Sequence, residues 1–128
     1  MARRWRNVSR ALLIGSHSDT VPLGGWLDGS LGVIYALEVA RALSEAGSMG
    51  AVGVDVVSFA DEEGMFAGWF GSRSFCGDFD EARWNDIRNP DGRLLSDALA
   101  VFKDQPRLRL DPARNFGYLE AHIEQGPR

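Results

Sequence analysis

The sequence predicts an α/β layer fold, and three observations carry that expectation. Apolar or β-branched runs of strand length occur at residues 11–16 and 51–60, and residues 118–124 read as a third strand. Between the first two, the apolar residues recur with a helical period. The resulting order is strand, helix, strand, helical region, strand, which suits a sheet with helices laid on it.

The elements follow in order. Residues 1–10, "MARRWRNVSR", hold four arginines and no apolar core of a secretory signal. They are expected to form a basic, unordered tail ahead of one domain over 11–128. "ALLIGS", 11–16, reads as a buried strand ending at glycine. "VPLGGWLDGS" is a loop marked by Pro22 and the Gly24-Gly25 pair. Leu31, Ile34, Tyr35, Val39, Ala42 and Leu43 then share one helical face, predicted to point inward. Asp28 and Ser30 are the expected caps and Gly47 the expected stop.

"AVGVDVVSFA", 51–60, reads as the second strand and runs into "DEEG". "MFAGWFGSRSFCGDF" is expected to be a loop with one helical turn. Trp26, Phe66, Trp69 and Phe70 are expected to pack in core or loop. Cys76 is read as a small buried hydrophobe, because no nearby histidine would activate it. Residues 80–104 mix helical pieces with the turn "NPDG". "YLEAHIE" reads as the third strand, closed by Gly126 and Pro127.

Bulk composition narrows the function. The 128 residues suit one domain or part of one, and 45% hydrophobic with 25% charged residues is a globular composition. A net charge of −4 argues against a general nucleic-acid footprint. No apolar run approaches the roughly 20 residues that span a bilayer. The single cysteine fits a reducing compartment, and the expected location is cytoplasmic.

Each predicted strand ends in metal-ligand types. The first yields His17 and Asp19, with Asp28 on the next loop; the second yields Asp61, Glu62 and Glu63; the third yields His122 and Glu124. Ligands of open α/β sheets bind beyond the carboxyl ends of strands. Imidazole and carboxylate suit zinc and its neighbours, and a shared carboxylate can hold two ions. In His17-x-Asp19, alternation puts both side chains on one side, where Asp19 could orient the imidazole. Of adjacent Glu62 and Glu63, one could ligate and the other accept a proton. Taken singly, each feature also has a plain structural reading, as a core histidine or a solvated turn.

Together, "GSHSDTVPLGGWLDGSLGV", "FADEEGMFAGWFGSRSFCG" and "YLEAHIEQGP" resemble the hydantoinase/carbamoylase-type amidases, within the binuclear zinc aminoacylase and carboxypeptidase superfamily. That subfamily includes N-carbamoyl-L-amino acid amidohydrolases, β-ureidopropionases and allantoate amidohydrolases. The resemblance runs from about Ala11 to Arg128. It implies part of a three-layer catalytic domain, with a central mixed sheet flanked by helices and the lid or dimerisation domain absent.

By this resemblance His17, Asp28 and His122 hold the first of two divalent metals (zinc, or manganese, cobalt or nickel). Asp28 bridges to the second, which Glu63 ligates and which lacks its distal histidine here. Asp19 orients His17, Glu62 is the general base, and Gln125 lies near the substrate. His122 separates this branch from peptidases and deacylases, which generally carry a carboxylate there. The implied partner is a small ureido or N-carbamoyl substrate, hydrolysed at a non-peptide C–N bond, with neither nucleic acid nor membrane. The family dimerises through the segment not found here. The chain is therefore expected to be a fragment, incomplete as an enzyme. The alternatives are a non-catalytic metal-binding or interaction module left from a truncated gene, or a peptidase or deacylase of the same superfamily.

Overall fold

The computed structural model describes residues 2–3, 8–47 and 52–124, in two compact units: one joins the chain up to Phe59 with the chain from Asp111, the other spans Ala60–Leu110. The first unit is a four-stranded mixed sheet in the order β1-β3-β2-β4. Its strands are β1 (Ala2–Arg3), β2 (Arg10–His17), β3 (Val52–Phe59) and β4 (Asn115–Leu119), and helix α1 (Ser30–Ala46) links β2 to β3. β2 pairs in parallel with β3, from Arg10 opposite Val52 to His17 opposite Phe59. It also pairs in parallel with β4, where Leu12 faces Gly117 and Ile14 faces Leu119, with a register shift after Ala11. β1 runs antiparallel to β3. The expected α/β class and mixed sheet are borne out. Of the basic leading segment, Ala2 and Arg3 join the sheet and Arg10 opens β2, while residues 4–7 lie outside the described residues.

β2 and β3 form where apolar runs let both sheet faces be buried. β2 is buried at five successive residues before its end, Leu13 to His17, and β3 at Gly53 to Val57. Ile14, Val54 and Val56 pack with Ala36 of α1, and Leu12, Ala40 and Leu43 close around them. The inward face of α1 therefore carries Gly32, Ala36, Ala40 and Leu43. The predicted inward face is corrected: Ile34 and Tyr35 are 59% and 52% exposed, and Val39 is exposed too. Small residues win because the helix lies close on the sheet. A Cβ at Gly32 would stand 2.3 Å from the Ala121 carbonyl oxygen and 2.7 Å from Ser16 Cβ.

The helix caps also differ from expectation. Gly29 precedes α1 without a side-chain cap, and Ser30 is already helical. Gly47 does end the helix, in the left-handed conformation. The third strand stops at Leu119, so Glu120 to Glu124 continue without a ladder.

The second unit holds the helix α2 (Phe70–Cys76), the helix α3 (Leu95–Leu99) and 3₁₀ turns at Glu81–Asn85 and Ala100–Phe102. "NPDG" is a turn as expected: the Gly92 N–H donates to the Asn89 carbonyl, 2.9 Å. The "one helical turn" is longer, seven residues of α2. Phe70 is buried against Phe79 and Trp84. Trp26, Trp69 and Cys76 are exposed, which corrects the packing expected of them. No helix among the described residues is long and apolar enough to cross a membrane.

Candidate metal centre

The site lies at the carboxyl edge of the parallel strands. His17 is the last residue of β2, His122 follows the end of neighbouring β4, and Asp28 precedes α1. Among the described residues these three are the group of His, Cys, Asp or Glu side chains able to hold one ion, with ligand atoms within 4.8 Å of one another.

The histidine tautomers follow from their neighbours. His17 Nδ1 lies 2.8 Å from the Asp19 carbonyl oxygen, and His122 Nδ1 lies 2.7 Å from the Ile123 carbonyl oxygen. A carbonyl only accepts, so each Nδ1 carries a proton, and in the neutral imidazole each Nε2 keeps a lone pair. Those two Nε2 atoms stand 2.9 Å apart, with the rings stacked at 5.1 Å between centroids. Asp28 Oδ1 lies 3.9 Å from His17 Nε2 and 3.4 Å from His122 Nε2. It is buried and accepts no hydrogen bond among the described residues.

With both imidazoles neutral, three electron-pair donors face one another. Such a cluster is costly unless a cation or proton joins it. A tetrahedral centre with bonds of about 2.0–2.1 Å has ligand–ligand edges of about 3.4 Å, close to the separations here. The donor set, two imidazoles and a carboxylate, also suits zinc and its neighbours.

Asp28 is fully buried. Burial alone would raise its pKa. The Val21 N–H at 3.1 Å and the Thr20 hydroxyl at 3.0 Å, together with the positive charge of His17 and His122 when protonated, outweigh burial, and the carboxyl titrates below its ordinary range. The loop folds to supply these donors. In "VPLG", Gly24 N–H bonds to the Val21 carbonyl, with Leu23 at a φ of 66°. Asp28 therefore serves the loop and the site, and not the helix as a cap.

Gly29 is a residue that sequence reasoning missed. It has φ 64° and ψ −50°, and the Ser30 N–H reaches back to the Asp28 carbonyl at 2.6 Å, a γ-turn. A Cβ there would stand 2.3 Å from His17 Nδ1. The His17 ring lies against this bare backbone. "DGS" beside a metal-ligand motif was the available signal.

Asp19 acts on His17 through its backbone carbonyl, while its carboxylate stands at 3.8 Å. Glu62 and Glu63 belong to the second unit. Glu62 is half-buried and both its oxygens are held, Oε1 by the Ser72 N–H and Oε2 by the Ser72 hydroxyl, each at 2.7 Å. Ser72 is a second missed residue. Glu63 is exposed. Asp61, in the left-handed conformation, accepts the N–H groups of Phe66 and Ala67 and so organises its own loop. Gln125 lies outside the described residues.

The sequence model of peptidase family M28 matches residues 2–110, most of the chain. The chain belongs to peptidase family M28. Within the curated relatives, this M28 chain is 40% identical to an allantoate deiminase of Arabidopsis thaliana, over 93% of its own length and 24% of the relative's. It is 35% identical to an N-carbamoyl-L-amino-acid amidohydrolase of Pseudomonas sp. (strain NS671), over 91% and 30%. A solved amidase of the hydantoinase/carbamoylase family from Burkholderia phymatum superposes with a TM-score of 0.91 at 53% identity, over 99% of this chain and 32% of that one. The resemblance expected from the three motifs is borne out. The chain spans about a quarter to a third of the length of these relatives.

Proposed function

We propose that the chain is part of a metal-dependent amidohydrolase acting on non-peptide C–N bonds of ureido or N-carbamoyl compounds. Residues 11–128 make up part of its catalytic domain. The observation that carries this reading is the convergence of His17 Nε2, His122 Nε2 and Asp28 Oδ1, in a chain whose relatives are named for that chemistry. His17, Asp28 and His122 hold one divalent ion, and Glu63 is assigned as a ligand residue of a second.

When bound, such ions supply Lewis-acid polarisation of the substrate carbonyl and stabilise the charge that develops on its oxygen. The chain's own residues do the rest. Glu62, aimed by Ser72, takes a proton from the attacking water and passes it to the departing nitrogen. The carbonyl oxygens of Asp19 and Ile123 keep both imidazoles in the tautomer that offers Nε2. Gln125 contacts the substrate. We place the protein in the cytoplasm on its single cysteine.

Calorimetric titration of the purified chain with Zn²⁺, beside His17→Ala, tests this reading. Saturable binding lost in the variant is expected. A folded chain that binds no divalent ion would overturn it. Ammonia release from N-carbamoyl amino acids and allantoate, measured on the metal-loaded chain, then decides about turnover. Binding without release under any added metal leaves a metal-binding module.

A further inference from the structure

We propose that Glu120 is the positioning residue of this centre: its carboxylate, clasped by Ser16 and Tyr118, sets where His122 Nε2 stands relative to His17. The inference deepens the metal-centre reading and rests on it only for the ion, not for the geometry.

His122 has no ladder to fix it. It lies past Leu119, where β4 and its hydrogen bonds to β2 end. The residues that carry it must be held by side chains. Glu120 is the group that does so. Its Oε1 accepts from the Ser16 hydroxyl at 2.5 Å, and its Oε2 from the Tyr118 hydroxyl at 3.0 Å. Ser16 is fully buried and immediately precedes His17. One carboxylate therefore joins the residue before the first histidine to the residue two before the second. The opposite side is closed by α1, where Gly32 leaves room for the Ala121 carbonyl. Residues 120–122 sit between β2 and the start of α1.

Glu120 is not itself a ligand in this arrangement. It is outside the converging group, and both its oxygens already accept hydroxyl protons. The requirement is for an acceptor at both positions, which a carboxylate meets in full. A glutamine meets it in part. Its carbonyl can keep the Ser16 bond, while the Tyr118 hydroxyl turns to the Gly15 carbonyl, 3.2 Å away. An alanine keeps neither. The charge-assisted contacts are also the stronger kind, so the clasp resists fraying of a segment with no ladder.

The test uses the full chain, with two readouts. The first is titration with Co²⁺, followed by its visible absorption, which reports ligand number and geometry. The second is the NMR contact between the His17 and His122 ring protons in the metal-free chain. Glu120→Ala is expected to weaken Co²⁺ binding about 10–100-fold, change the absorption band and lose the ring–ring contact. Glu120→Gln should recover most of the affinity and the contact. Ser16→Ala should weaken binding as well, and the Ser16→Ala/Glu120→Ala pair should be no weaker than Glu120→Ala alone, because both remove one link.

Circular dichroism checks that each variant folds. If Glu120→Ala does not fold, Ser16→Ala carries the decision, with Glu120→Gln as the conservative control. Unchanged affinity and unchanged ring contact in the folded alanine variants would overturn the proposal. If the unmodified chain binds no Co²⁺ but its ring contact still depends on Glu120, the metal reading fails and the positioning role stands.

Discussion

At the scale of single residues, the site is built from groups that cost stability where they stand. Asp28 is the clearest. Its Oδ1 is buried beside two nitrogen lone pairs and accepts nothing among the described residues. Asp28→Asn keeps an oxygen for the Val21 and Thr20 donors and turns an amide N–H toward the imidazoles. The metal-free chain is therefore expected to melt at the same temperature or higher, while Zn²⁺ affinity falls by more than about 100-fold, beyond the loss of an outer partner. Thermal melts beside calorimetry read both; a lower melting point with intact affinity would contradict this account. Gly29→Ala acts differently. It forces a side chain onto a positive φ and into the His17 ring, so both stability and affinity should fall, stability by about 1–3 kcal/mol from the backbone alone. Chemical unfolding of the metal-free variant measures it. The two histidines and Asp28 were legible in the sequence because their residue types announce coordination chemistry. Gly29 and Ser72 were not, because a glycine or serine shows its purpose only through what lies against it.

At the scale of elements, legibility followed how much apolar contrast each segment carries. β2 and β3 are largely apolar segments, and their positions came within a residue or two of expectation. α1 was found, but its inward face was not. It is apolar on two sides, and a period count favours the side with the larger residues. Close approach to a parallel sheet selects the smaller ones instead, Gly32, Ala36 and Ala40, spaced four apart. β4 was placed too late because "YLEAHIE" alternates like a strand, while Glu120 to Glu124 have left the ladder to serve the site. The helix assignment can be checked directly. Ala36 has no exposed surface and touches Ile14, Val54 and Val56, so Ala36→Leu should destabilise by about 1–3 kcal/mol through overpacking. Ile34→Ala, on the face that periodicity favoured, should change stability by no more than about 0.5 kcal/mol. Urea unfolding of the two variants separates the alternatives, since the predicted face would give the reverse order.

At the scale of the sheet-bearing unit, the parts that build the site come from far apart in the chain, and one buried ion pair holds them in register. Asp55 of β3 is 2% exposed and receives Arg114 in a two-pronged contact, Nε to Oδ2 at 2.7 Å and Nη2 to Oδ1 at 2.8 Å. The guanidinium also donates to the Val8 carbonyl at 2.6 Å, and the Asn115 amide donates to Asp55 Oδ2 at 3.0 Å. The Asp55 carboxylate holds the Arg114 pKa above its ordinary value. This pair ties the lead-in to β2, the middle of β3 and the start of β4, across β2 itself. It was not legible in advance: nothing in "VGVDVVSF" or "PARNFG" marks a partner some 59 positions away. Removing one member of such a pair leaves a buried charge, so Arg114→Ala should cost about 3–5 kcal/mol. Removing both should cost less than the sum of the two single losses, because the second substitution removes the charge the first had stranded. Urea midpoints of Arg114→Ala, Asp55→Ala and the double variant complete the cycle. Additive losses would mean the two side chains stabilise the sheet independently, and the register of β4, with His122 beyond it, would then rest on the ladder to β2 and the Glu120 clasp alone.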